Sequence, residues 1–203
     1  MTSIEKFINL LSQQKNSSVL FNPYLNPNLA NNLNLYLDLM IKIQVKRVLL
    51  VGEAPGYKGC KHTGIPFTSG GVFQEIKHPL LKQLKKKLVL EQIESENTAS
   101  IVWRHLSNYN ITPLFWNAFP FHPHPKNSPN QNRAPNQTEI KKSVNYLIQL
   151  QKIFRAEVIA GVGRNGTKAA QLAFPDLIIE YIRHPSHGGK TEFISGISKI
   201  LDT

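Results

Sequence analysis

Cysteine is nearly missing from this chain of 203 residues, which holds Cys60 and no other. A single thiol forms no intramolecular disulfide and cannot supply a multi-cysteine zinc or iron–sulfur site, so the expected compartment is a reducing one. Acidic side chains are in short supply as well: 13 Asp and Glu face 24 Lys and Arg, for a formal charge of +11 at pH 7. Long apolar runs are also lacking. None approaches the ~18 residues that a membrane span requires, and Glu5 and Lys6 interrupt the apolar residues of the N-terminus, where a secretion signal would need a continuous core. The expectation is a soluble, cytoplasmic protein with no membrane partner.

What is there suffices for one sizeable core. Hydrophobic residues make up 41% of the chain and charged residues 18%, which excludes a disordered basic tail and a coiled coil. One domain over residues 1–203 is expected, with residues 1–45 as a helical segment packed on it, because the one candidate linker, residues 119–135, is too rich in aromatics, His and Arg for a spacer. The positive excess favours a polyanionic partner, although charge alone can also serve solubility and does not say which polyanion.

Four stretches read as strands buried on both faces: residues 47–51 (RVLLV), 112–119 (TPLFWNAF), 157–162 (EVIAGV) and 177–182 (LIIEYI). Helical patterns lie between them, at 79–94 and 98–109, at 138–154 with Thr138 as its cap, and at 165–174; two more precede the first strand, at 4–14 and 27–42. Long helical crossovers join parallel neighbours. The expected fold class is therefore α/β, a three-layer α/β/α sandwich around a mostly parallel four-stranded sheet.

In such sheets the ligand site forms beyond the carboxyl ends of the strands, so the residues that follow each strand are where chemistry is sought. After the first strand Gly52, Glu53, Ala54, Pro55 and Gly56 force a sharp exit and let backbone approach a ligand, although a Gly-Pro turn is often mere punctuation. Downstream, Phe67 in Gly64-Ile65-Pro66-Phe67 either stacks on a planar base at the cleft rim or fills the core beneath a loop. Asn117 interrupts an apolar strand, where a buried amide must find partners; its acceptor and donors match the edge of uracil, or else serve neighbouring backbone. The third strand runs into Gly163-Arg164-Asn165-Gly166. The fourth runs into His184-Pro185-Ser186, followed by His187, Gly188, Gly189 and Lys190, a flexible basic tip beside a histidine that could donate to a developing oxyanion. His122 and His124 do not read as metal ligands, since prolines separate them and no acid or cysteine has ligand spacing to them; Lys82, Lys85, Lys86 and Lys87 read as a solvated helix face.

Taken together, these blocks resemble the uracil-DNA glycosylase superfamily. The resemblance runs from about residue 48 to residue 193 and rests on four blocks in order: GEAPG with GIPF downstream, the Asn117 block with Asn132-Arg133-Ala134-Pro135 and Glu139, GVGR, and His-Pro-Ser. GEAPG with Asn-Arg-x-Pro is similar to the thermophile-type fourth family. The resemblance implies that Gly52, Ala54, Pro55 and Gly56 wall the reacting sugar and base, that Phe67 stacks on the flipped uracil and that Asn117 reads its edge. It further implies that His184 hydrogen-bonds the uracil O2, and that Ser186, His187, Gly188 and Lys190, with Arg164 beside them, hold DNA. The chain departs from the pattern in three places. The fourth family's iron–sulfur cluster needs four cysteines and only Cys60 is present; residues 57–62 replace the expected acids; and Ala54 stands where some families place a water-activating Asp or Asn, which leaves Glu53 as the nearest carboxylate.

The resulting expectation is a monomeric, monofunctional glycosylase without cofactor or metal that excises uracil from DNA and so initiates base-excision repair, with Glu53 and His184 as its catalytic residues. One alternative is a protein that binds damaged or single-stranded DNA on the same fold without cleaving it. Another is an enzyme of free nucleosides, which would have little use for a basic loop at residues 187–190.

Overall fold

The computed structural model describes residues 1–42 and 46–202. Its elements, in chain order, are α1 (Ser3–Ser12), β1 (Leu20–Phe21), a 3-10 turn (Pro23–Leu25), α2 (Pro27–Lys42), β2 (Val48–Gly52), α3 (Cys60–Thr63), α4 (Gly70–Glu75), α5 (Pro79–Lys85), α6 (Asn97–Leu106) and β3 (Leu114–Asn117). There follow β4 (His122–Pro123), α7 (Gln137–Phe154), β5 (Val158–Val162), α8 (Gly163–Ala173), β6 (Glu180–Ile182) and α9 (Lys190–Leu201). The expected helical segment at the N-terminus is present as α1 and α2; its outer limit, residues 43–45, lies outside the described residues.

The four main strands lie in the order β3-β2-β5-β6, and every pairing between them is parallel. Residues on β2 are wholly buried from Val48 to Gly52, as apolar runs without alternation require. Adjacent residues of a strand face opposite sides, and β3 shows both sides covered: Trp116 meets Phe7 of α1, while Phe115 faces Trp103 of α6. On the α1 side α7 packs along α8 and α1, while on the α6 side α9 packs against β6, with Ser198 hydrogen-bonded to Tyr109 and His105. The result is the expected parallel sheet between helical layers, with a small antiparallel ribbon of β1 and β4 beside it.

Local chemistry sets the helix starts. Thr2 and Glu5 form a reciprocal capping box on α1, whose Ile4, Phe7, Ile8 and Leu11 are buried at helical spacing. On α7 the cap is Asn136 rather than the expected Thr138. Its side chain accepts from the Glu139 N–H at 3.0 Å while Glu139 accepts the Asn136 N–H at 2.7 Å, and Arg133 grips the same carboxylate with two bonds of 2.8 and 2.9 Å.

Three expected elements are shorter than their patterns. The helix expected over residues 79–94 ends at Lys85, because the buried side chain of Asn32 takes the backbone of the next segment: it donates to the Val89 carbonyl at 2.8 Å and accepts the Val89 N–H at 3.1 Å. Lys82 and Lys85 are exposed on α5, and Lys86 and Lys87 are exposed just past it. The strand expected over 177–182 begins only at Glu180, and Leu177 and Ile178 ahead of it are 51% and 95% exposed. With a single strand neighbour, β6 has one partner to hold an extension and the chain instead turns at Leu177, whose N–H donates to Phe174. The strand expected to continue to Phe119 stops at Asn117, although the N–H groups of Ala118 and Phe119 still donate to Gly52 and Glu53.

Candidate active site

Because all four strands run the same way, their carboxyl ends open on one edge, and there a cavity of about 250 Å³ forms. Glu53, Ala54, Pro55 and Gly56 line it from the end of β2, Asn117 from the end of β3, His184 from beyond β6, and Phe67 from the loop between α3 and α4. Seven of the residues singled out in the sequence thus share one hollow.

Phe67 reaches this position through an unusual backbone. Its φ is 57°, a left-handed value that bulky side chains avoid, and the carbonyl is held by the indole N–H of Trp103 at 2.9 Å. The ring lies over Gly52, where a Cβ would stand 2.3 Å from its Cζ, and it stacks on Phe115 at 4.8 Å between centroids. Gly52 is therefore the floor under the ring rather than part of the cavity lining. The ring is half-buried and keeps contact with the cavity.

Asn117 is 3% exposed, and its carboxamide makes no hydrogen bond to protein among the described residues. An amide that lines an open cavity without a protein partner is left available to a bound molecule.

His184 is oriented by its neighbour. The Ser186 N–H can only donate, and it points at Nδ1 at 3.2 Å, with Ser186 Oγ 2.7 Å from the same atom. Nδ1 is thus the acceptor of the ring, and the neutral imidazole carries its proton on Nε2. Burial pushes the His184 pKa down, the charge of Glu53 opposes that, and Arg183 and His187 add to it, so the ring is neutral at pH 7. Glu53 itself accepts from the Asn165 side chain at 3.0 Å.

The residues expected to meet DNA stand apart from the hollow. Arg164, at the start of α8, is exposed, and so are His187, Gly188 and Lys190; Ser186 is spent on orienting His184. His187 and Gly188 both have positive φ, 51° and 78°, which turns the tip of the loop out into solvent.

Sequence reasoning missed part of the lining: Gly59, Cys60, Thr68, Glu96, Thr98, Asn132, Arg133 and Ala134. Only Asn132, Arg133 and Ala134 had left a signal, in the Asn-Arg-x-Pro block. Asn132 accepts the Tyr57 N–H at 2.9 Å and so ties that block to the loop after β2. Glu96 was hidden as a helix cap, accepting from the N–H groups of Thr98 and Ala99 at 3.0 and 2.8 Å. His122 braces the same loop from behind, with Nδ1 2.8 Å from the Pro55 carbonyl and Nε2 3.1 Å from that of Pro129. A cluster held by four thiolates does not fit: Cys60 is buried and its thiol is pushed up to about 12 by that burial, a setting that disfavours the thiolate. Among the described residues no group of three or more His, Cys, Asp or Glu side chains is disposed to hold a metal ion, and no helix is long and apolar enough to cross a membrane.

Comparison with known proteins bears on what this arrangement is. No curated protein matches the chain in sequence. Among solved structures it is similar to the wild-type SMUG2 of Pedobacter heparinus, with a TM-score of 0.65 and 14% identity over 100% of both chains, a likeness of fold. The family model described as "Uracil DNA glycosylase superfamily" matches residues 41–196, a span that takes in the whole parallel sheet and every strand end around the cavity. With most of its length matched in this way, the chain belongs to the uracil DNA glycosylase superfamily.

Proposed function

We propose that the protein, acting as one monomeric domain over residues 1–203, hydrolyses the N-glycosidic bond of uracil in DNA, leaving free uracil and an abasic site. The observation that carries this reading is the convergence of an unpaired amide, an aromatic ring and an oriented imidazole donor on one cavity: Asn117, Phe67 and His184. Uracil rotated out of the duplex would stack on Phe67 and present its edge to Asn117. As the bond to the sugar breaks, negative charge gathers on the uracil O2, and Nε2–H of His184 donates to it. A neutral donor suffices because uracil leaves as an anion, and one well-placed donor of this kind contributes ~3 to 4 kcal/mol.

The sugar turns cationic in the same step. Glu53 stabilises that charge or polarises the attacking water, the task for which Ala54 offers no functional group. Arg164, His187 and Lys190 gather phosphates, and Gly188 lets the loop tip follow the strand; the net charge of +11 supports a polyanionic partner. The reading places the protein with cellular DNA at the start of base-excision repair.

The test uses labelled single- and double-stranded oligonucleotides carrying U, T, hypoxanthine or xanthine, followed by alkaline cleavage of abasic sites. Breaks confined to U, with loss of breaks in Asn117→Ala and His184→Ala while DNA affinity persists, are expected. DNA bound and left intact would overturn the enzymatic reading in favour of a binding module.

A further inference from the structure

Residues 161–166 spell Gly-x-Gly-x-x-Gly at a strand-to-helix junction, a pattern that elsewhere cradles phosphates. Here two of the three glycines are filled by the protein itself. A Cβ on Gly166 would lie 1.9 Å from the Val51 carbonyl oxygen, and one on Gly161 would lie 2.2 Å from Cα of Thr167. Gly163, with φ +76°, makes the turn between them. These glycines let α8 start hard against the end of β2, and the consequence is that Asn165, in the first turn of α8, stands across from Glu53, the residue that follows β2. Its Nδ2 donates to Glu53 Oε1 at 3.0 Å, and among the described residues Oε2 has no hydrogen-bond partner.

We infer that Asn165 is a positioning residue for the reaction: it fixes Glu53 by Oε1 and leaves Oε2 to the reacting sugar or its water. The inference rests on the glycosylase reading above and assigns to α8 a part in the chemistry beyond packing. An untethered glutamate at the mouth of a cavity samples several rotamers and turns toward solvent, so its field at the sugar and at His184 weakens. Asn suits the task because its amide donates without adding a charge, whereas a carboxylate there would repel Glu53.

A double-mutant cycle tests this. Asn165→Ala is expected to lower kcat about tenfold, the scale of one hydrogen bond to a charged group, with KM for a uracil-containing oligonucleotide unchanged. In a Glu53→Gln background the same substitution should cost nothing further. Asn165→Asp, which keeps the side-chain shape should the alanine variant fail to fold, is expected to be worse than Asn165→Ala with Glu53 present and harmless beside Glu53→Gln. A second readout needs no turnover: the NMR titration of His184 should move to lower pH in Asn165→Ala, as in Glu53→Gln, and move no further in the double variant. Equal losses of kcat in both backgrounds, or a His184 titration in Asn165→Ala that matches the wild type, would overturn the inference. Were the wild type to excise no base, the glycosylase reading would fail, and the titration would still show whether Asn165 places Glu53.

Discussion

Phe67 is the point at which backbone strain and the cavity meet. Its left-handed φ of 57° costs a bulky side chain about 1–3 kcal/mol, a cost that packing elsewhere must offset, and the return is a ring held flat between Phe115 and the cavity. Only a residue without Cβ fits beneath it. Gly52→Ala should therefore displace the ring and cut the excision rate by about a hundredfold, the scale of an ångström-sized misplacement, while the variant still binds DNA; steady-state rates beside a DNA-binding titration check this, and a rate equal to wild type would contradict the role given to Phe67. Asn117, Phe67 and His184 were legible because each breaks a local rule, an amide in an apolar strand or an aromatic and a histidine in glycine-proline loops. Glu96 and Thr68 break none. Their place at the cavity is set by contacts distant in sequence, such as that of Glu96 N–H with Ser69 Oγ at 3.2 Å.

Elements were readable where their signal was local. The capping box of α1 and the buried run of β2 are written in consecutive residues, whereas the length of α5 was decided from outside it. Leu88, Val89 and Leu90 look helical in isolation, yet Asn32, 0% exposed on α2, takes both backbone groups of Val89 and also donates to the Thr63 carbonyl at 3.0 Å. A side chain that completes three bonds in the interior outweighs a weak helical preference. Asn32→Ala would strand those groups and is expected to destabilise the protein by ~2 to 4 kcal/mol, measured by denaturant unfolding. A loss under ~0.5 kcal/mol would mean that the segment after α5 is held by other means.

The alternation of strands and helices along the chain pointed to the parallel sheet, but not to the order β3-β2-β5-β6, which depends on long-range pairing. The distribution of histidines has a consequence for stability. His62, His78, His105, His122 and His184 are all shifted down, in each case chiefly by burial. The unfolded chain accepts protons near the ordinary pKa of ~6.5 and the folded one only below it, so between those values the unfolded state holds more protons and stability rises with pH. The melting temperature should accordingly fall as pH is lowered from 7.5 to 5.5. Glu139 is shifted down too, since hydrogen bonds from Arg133 and the Asn136 N–H outweigh its burial; its contribution is present above the ordinary carboxylate pKa and is lost only at more acidic pH, as a separate step. A melting temperature that is flat or rises on acidification through the first window would contradict this account.

The superfamily match begins at residue 41, yet the protein's architecture does not respect that border. Phe7 lies on Trp116, the Tyr36 hydroxyl accepts the Phe115 N–H at 2.9 Å, and Leu20 and Phe21 pair with Pro123 and His122, the histidine that braces the Pro55 wall. Trimming the polypeptide to the shared homology segment would peel the lid off two aromatic residues of β3 and unhook the wall of the hollow from behind. The forty residues that carry no family signature are scaffolding for those that do.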